Sequence, residues 1–97
     1  MTPRPEQVRE TEYLRFVVEP KIEGNRTVTI LVRNRKDDFL LGVIKWYGPW
    51  RQYTFYPTEQ SALFNYKCLR EIAEVCLART MGQREQARLR RAKGAQL

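Results

Sequence analysis

The spacing of apolar residues changes character once along this chain. From Tyr13 to Tyr56 they alternate with polar residues, as on pleated strands, and from Asn65 onward they recur every three or four positions, as on a helix. The first alternating run, Tyr13 to Ile22, sets Leu14, Phe16 and Val18 on one side and Tyr13, Arg15 and Val17 on the other. Pro20 has no amide hydrogen to give a ladder, so it belongs at an edge, a bulge or the strand's end. Glu23-Gly24-Asn25-Arg26 reads as a turn, because Gly and Asn tolerate positive φ. Thr27 to Arg33 is the clearest strand, with Val28, Ile30 and Val32 opposed to Thr27, Thr29, Leu31 and Arg33. The polar stretch Asn34 to Asp38 forms the next turn.

Two further strands, Phe39 to Tyr47 and Trp50 to Tyr56, flank Gly48-Pro49 and predict a hairpin. A two-residue loop with positive φ at both central positions is excluded by Pro49, whose ring holds φ near −65°. A turn from Gly48 to Arg51 with Pro49 second avoids the conflict and sets Trp46 opposite Tyr53 and Ile44 opposite Phe55. A register shifted by one pair sets Phe55 against Gly42, where an aromatic covers bare backbone. Both registers divide the faces alike. Leu40, Ile44, Trp46, Tyr53 and Phe55 gather around Gly42 as the core face, with Arg51 at its end. Leu41, Val43, Lys45, Tyr47, Trp50, Gln52, Thr54 and Tyr56 form the other, whose mixture of aromatic, basic and amide groups suits an exposed recognition surface.

Pro57 ends the last strand, residues 58–64 connect, and Asn65 is placed to cap a helix over Tyr66 to Thr80. Its apolar side is expected to be Leu69, Ile72, Ala73, Cys76 and Leu77, flanked by Cys68 and Val75. Lys67 with Glu71 and Arg70 with Glu74 are spaced for i,i+4 pairs. Gly82 is a candidate cap, although the helix-forming composition of residues 83–93 would also allow continuation. The fold expected is α+β, an antiparallel sheet of about four strands with one C-terminal helix packed on one face. Residues 1–12 are expected to be a disordered arm, 13–81 a single domain, and 82–97 a basic tail.

Charge sharpens this division. Eighteen Lys and Arg against eleven Asp and Glu leave a net +7, and residues 79–97 hold six basic groups against one acidic. Such a segment attracts phosphate and other anionic surfaces over a screening length of roughly 8 Å. A small core of this size makes self-association a route to stability, so a homodimer is compatible with the chain. Cys68 and Cys76 on one helix would stand about 12 Å apart along its axis, too far for a disulfide. Without histidine, two thiols do not close a zinc site, and unpaired buried Cys fits a reducing cytoplasm. No apolar run reaches the roughly 20 residues of a membrane span.

Catalysis is not expected. No histidine is present, and Glu19, Glu23, Asp37, Asp38 and Glu59 are scattered over turns and strand ends rather than paired. No glycine-rich phosphate loop occurs, and no cofactor or metal is implied. The candidate binding residues are Lys45, Tyr47, Trp50, Arg51, Gln52 and Tyr56 of the hairpin with Arg33 of the preceding strand. Arg84, Arg88, Arg90, Arg91 and Lys93 of the tail join them. Exposed rings stack bases while neighbouring cations neutralise phosphates. The alternative reading is that these aromatics fill the core or an interface between proteins.

The hairpin and helix resemble a group of small uncharacterised proteins of bacteriophages and prophages. The residues that carry the resemblance are Leu41-Gly42-Val43-Ile44-Lys45-Trp46-Tyr47, Trp50-Arg51-Gln52-Tyr53 with Phe55 and Pro57, and Cys68-Leu69 with Ile72-Ala73. It spans roughly residues 40–76 and implies a phage or mobile-element origin without carrying an activity across. Four strands followed by one helix is also similar, in topology alone, to the single-stranded-DNA-binding coactivator and Whirly-type folds.

Together these readings lead to an expectation of a non-enzymatic, nucleic-acid-binding protein of phage type, single strands favoured, acting in the cytoplasm of an infected or lysogenic cell. The alternatives are a module that binds and inhibits a host defence or transcription protein, and a sponge that sequesters a signalling nucleotide.

Overall fold

In a computed structural model, described for residues 7–58 and 63–95, the chain folds as α+β. The described residues form five antiparallel strands in the order β1-β2-β3-β4-β5, each paired with its neighbours in sequence, followed by one helix. The strands are β1 (Gln7–Glu10), β2 (Leu14–Val18), β3 (Ile30–Asn34), β4 (Leu40–Tyr47) and β5 (Gln52–Pro57), and the helix α1 is Tyr66–Ala95. The sheet thus has one strand more than the four expected. The addition is β1, within the stretch read as an arm, of which residues 1–6 lie outside the described residues. Four polar-rich residues carry no period of their own, and a hydrogen-bonded turn at Thr11 brings them alongside β2. In that turn the Thr11 amide donates to the Leu14 carbonyl at 2.9 Å, and the Leu14 amide donates to Thr11 Oγ1 at 3.1 Å.

Strand alternation survives as the organising pattern. Leu14, Phe16, Val18, Ile30, Val32 and Ile44 are buried on one face of the sheet. The paired register explains this, because Phe16 meets Val32, Val18 meets Ile30, and Ile30 meets Ile44. The β2 run stops at Val18, short of Ile22, which is exposed beyond Pro20. Gly24 then turns the chain at φ +89°, a conformation that suits glycine.

Around Gly48-Pro49 the hairpin takes the unshifted register, with Trp46 opposite Tyr53 and Ile44 opposite Phe55. Gly48, Pro49 and Trp50 form a single 3-10 turn closed by the Arg51 amide donating to the Gly48 carbonyl at 3.1 Å. Gly42 pairs with Pro57, yet the Phe55 ring still lies over it. A methyl at Gly42 would stand 2.6 Å from that ring and 2.5 Å from the Tyr56 carbonyl oxygen. One expectation fails in β4. A bulge opposite Val32 and Arg33 pairs Leu40 with Arg33, and it is Leu41 that packs against the core.

Asn65 caps α1 as its residue type predicts, its Oδ1 accepting the Cys68 amide at 2.9 Å. The buried stripe of the helix is rotated from the expected one. Cys68, Ile72, Val75 and Thr80 are buried, whereas Leu69, Ala73 and Leu77 are exposed. The sheet decides this rotation, since Thr80 is drawn to the backbone of β5 and Val75 to the β2–β3 side of the core. Lys67 pairs with Glu12 at 3.8 Å rather than with Glu71, one of whose carboxylate oxygens is buried without a partner. No described helix is long and apolar enough to cross a membrane.

Candidate functional site

The helix does not stop at Gly82. It continues without interruption to Ala95, thirty residues and about 45 Å in all, so Arg84, Arg88, Arg90, Arg91 and Lys93 stand on an ordered α-helix. Cations are favoured near a helix C-terminus, where the carbonyl ends of the peptide dipoles collect. Leu77, Arg84, Arg88 and Arg91 succeed one another by seven, four and three residues and so share a stripe.

The candidate residues divide between two surfaces that meet at the hairpin tip. The outer face of the sheet, opposite the helix, holds the first group through the strand register. Lys45 pairs with Thr54, Tyr47 with Gln52, and Val43 with Tyr56, while Arg33 stands at the far end of the same face. Lys45 Nζ lies 4.6 Å from the centre of the Tyr56 ring, a cation-π contact that orients both side chains. Arg33 donates to the Asp38 carbonyl at 3.1 Å, and Arg15 beside it is paired with both Glu10 and Asp38 at 3.0 Å. Arg33 and Arg15 are therefore committed to holding the β3–β4 turn, in which Asp38 adopts φ 62°. Arg33 is correspondingly less available to a ligand than its strand position implied.

Across this face runs a row the sequence reading passed over. Val17 pairs with Leu31, Leu31 with Val43, and Val43 with Tyr56, all half-buried. Among the described residues no element covers the row.

Trp50 and Arg51 belong to the turn rather than to a strand. The Trp50 ring meets the Tyr47 ring edge-on at 4.9 Å between centres and stays 60% exposed. Arg51 takes the left-handed conformation at φ 51°, ψ 47°, which reverses the chain into β5.

The second surface lies on the helix side of the tip. Arg51 and Trp46 from the hairpin face Gln83, Arg84, Arg88 and Arg91 of the helix across a cleft of about 450 Å³. Arg84 donates to the Arg51 carbonyl at 3.2 Å, joining the two elements. Arg88 is bound by Glu85 through both carboxylate oxygens at 2.6 and 3.1 Å, which holds the Glu85 carboxyl below its ordinary range. Arg90 and Lys93 are exposed outside this cleft. Trp46, expected wholly within the core, is half-buried, edge-on to Tyr53 at 5.5 Å, and walls the cleft. On the opposite flank of the helix, Lys21, Arg26 and Arg79 line a further groove of about 400 Å³ with Gly82 and Gln86. The signal for the cleft was present in the spacing of Arg84, Arg88 and Arg91, but it becomes legible only once the helix is known to pass Gly82.

The chain is 45% identical over 65 residues to an "uncharacterized 9.3 kDa protein" of Acholeplasma phage L2, an alignment covering 67% of this chain and 81% of the relative. No family model and no solved structure matches the chain.

Proposed function

The chain belongs to the family of small phage proteins that includes this Acholeplasma phage L2 protein, and for it we propose a non-enzymatic role in binding single-stranded nucleic acid. The observation that carries this reading is the outer sheet face. Lys45, Tyr47, Gln52 and Tyr56 stand together there and continue at the hairpin tip into the exposed Trp50, whose ring meets that of Tyr47. Tyr47, Trp50 and Tyr56 offer rings to bases, which stack on aromatic side chains at about 1–3 kcal/mol each, and the neighbouring cations offer charge to phosphates. The basic half of α1 adds a field over the same end of the molecule.

Fluorescence anisotropy of a labelled oligothymidylate tests the reading. Binding is expected at low salt, with log K falling about 0.7 per phosphate neutralised for each unit of log salt. Trp50→Ala combined with Tyr47→Ala is expected to weaken binding at least about ten-fold, the loss of one to two stacking contacts. No binding at low salt, or binding indifferent to that pair of substitutions, would overturn it.

The row Val17, Leu31, Val43 and Tyr56 favours a second reading, a module that docks on a host protein. Half-exposed apolar side chains in a continuous strip are what a protein interface buries, with aromatic and Arg residues dominating its energetics. Capture from host lysate after nuclease treatment separates the two, since a partner that survives nuclease and is lost in Val43→Asp supports docking, and one lost with nuclease supports nucleic acid.

A further inference from the structure

The cleft on the helix side of the hairpin tip has features that a solvated basic tail would lack. Four guanidinium groups from two separate elements line it. One of the four, Arg88, is neutralised by Glu85. Arg84 is bonded to a carbonyl, which orients it without cancelling its charge. Among the described residues the guanidinium groups of Arg51 and Arg91 make no hydrogen bond or ion pair. Three positive charges therefore border one recess without a bonded counter-charge, and like charges that approach one another repel unless an anion enters. The tie between Arg84 and the Arg51 carbonyl joins the turn to the helix, so the two elements that carry these arginines stand side by side before any ligand arrives.

The wall beside them is the Trp46 indole, half-buried by the core beneath it. A recess of about 450 Å³ falls within the range of about 300–1,000 Å³ that small ligands occupy. Arginine suits phosphate in particular, because its planar fork presents paired N–H donors to two oxygens at once. The pairing of an indole with uncompensated guanidinium groups matches a phosphate joined to a planar ring.

We infer that the cleft formed by Trp46, Arg51, Arg84, Arg88 and Arg91 binds a nucleoside phosphate unit, the phosphate held by Arg51, Arg84 and Arg91 and the ring set against Trp46. The inference deepens the nucleic-acid reading but stands on a different face of the hairpin. The unit can come from a free nucleotide or from one residue of a strand. Arg90, Lys93 and the outer-face residues take no part in it.

The test uses the full chain carrying Trp50→Phe, which leaves Trp46 as its sole indole. Adenosine monophosphate, adenosine and oligothymidylate are titrated separately while indole emission is followed. A saturable change with adenosine monophosphate, at least about ten-fold weaker with adenosine and at least about ten-fold weaker in the exposed Arg51→Gly, Arg91→Ala variant, supports the cleft and assigns it to free nucleotides. The same arginine-dependent change with oligothymidylate alone supports the cleft and assigns it to a strand. Silence of Trp46 toward both phosphate-bearing probes, or a response that the arginine substitutions leave unmoved, overturns the inference. Oligothymidylate that binds by anisotropy while Trp46 stays silent would end the cleft and spare the nucleic-acid reading. A nucleotide response with no strand binding by the parent chain, which keeps Trp50, would do the reverse.

Discussion

The amide of Tyr53 donates a 2.9 Å hydrogen bond to Oγ1 of Thr80, twenty-seven residues away and buried with it. Tyr53 lies on β5, an edge strand, and this amide points away from β4. A free edge invites pairing with another chain, and the helix blocks it here with one hydroxyl. The same hydroxyl donates to the Cys76 carbonyl at 2.7 Å, so both of its roles are used. Thr80→Val keeps the shape and removes the acceptor, leaving a buried amide without a partner. The expected loss is about 1–3 kcal/mol by urea denaturation, with Thr80→Ser retaining most of the stability.

Gly42 has no space for a side chain. Its would-be methyl meets the Tyr56 carbonyl oxygen and the Phe55 ring, of which only the ring can move. Gly42→Ala is expected to destabilise by about 1–3 kcal/mol, the usual cost of overpacking. Adding Phe55→Leu should recover only part of that, because the backbone oxygen remains. A thermal melt of the single and double variants checks both statements, and a Gly42→Ala chain as stable as the parent would show that the strands part easily at this point.

Arg51 holds a left-handed backbone that costs a non-glycine residue about 1–2 kcal/mol, while its bond from Arg84 uses only its carbonyl. Arg51→Gly removes that strain and gives back a similar amount in the greater freedom of the unfolded chain. Unfolding is therefore expected to be unchanged within about 1 kcal/mol, whereas a β-branched Arg51→Val, poorly suited to positive φ, should be clearly destabilising. Circular-dichroism melts distinguish them.

The two thiols predict an alkaline limit. Burial pushes both Cys68 and Cys76 above their ordinary value of 9.0, and the nearby carboxylates of Glu71 and Glu12 add to this at Cys68. A group whose folded value is raised holds its proton longer in the folded chain. Its contribution is therefore complete below 9.0 and disappears as pH rises through the folded values. The urea midpoint of the parent is expected to fall more steeply above pH 9.0 than that of the Cys68→Ala, Cys76→Ala variant. Equal slopes would exclude the thiols as the cause.

Much of the sheet was legible from the chain alone. The alternation Leu14-Phe16-Val18 and the Ile30-Val32 pair state which face is buried, because side chains on a strand point alternately to its two sides. Pro49 excluded the tightest turns and left two registers that share the same faces, of which the folded hairpin takes the one with Trp46 opposite Tyr53, and Asn65 marked the start of the helix through its capping side chain. These are local effects, decided within a few residues. What tertiary structure alone decided rests on contacts between distant segments. The strand β1 exists because β2 offers it a ladder. Leu41 rather than Leu40 packs against the core because of a bulge against β3. The helix turns Cys68 and Val75 inward and leaves Leu69 and Leu77 outside, in the orientation that packs Ile72 and Val75 on the sheet and brings Thr80 to the Tyr53 amide. Arg84, Arg88 and Arg91 face Arg51 and Trp46 only because that helix passes Gly82 unbroken, and a glycine in a sequence does not say whether the packing around it will let the helix continue.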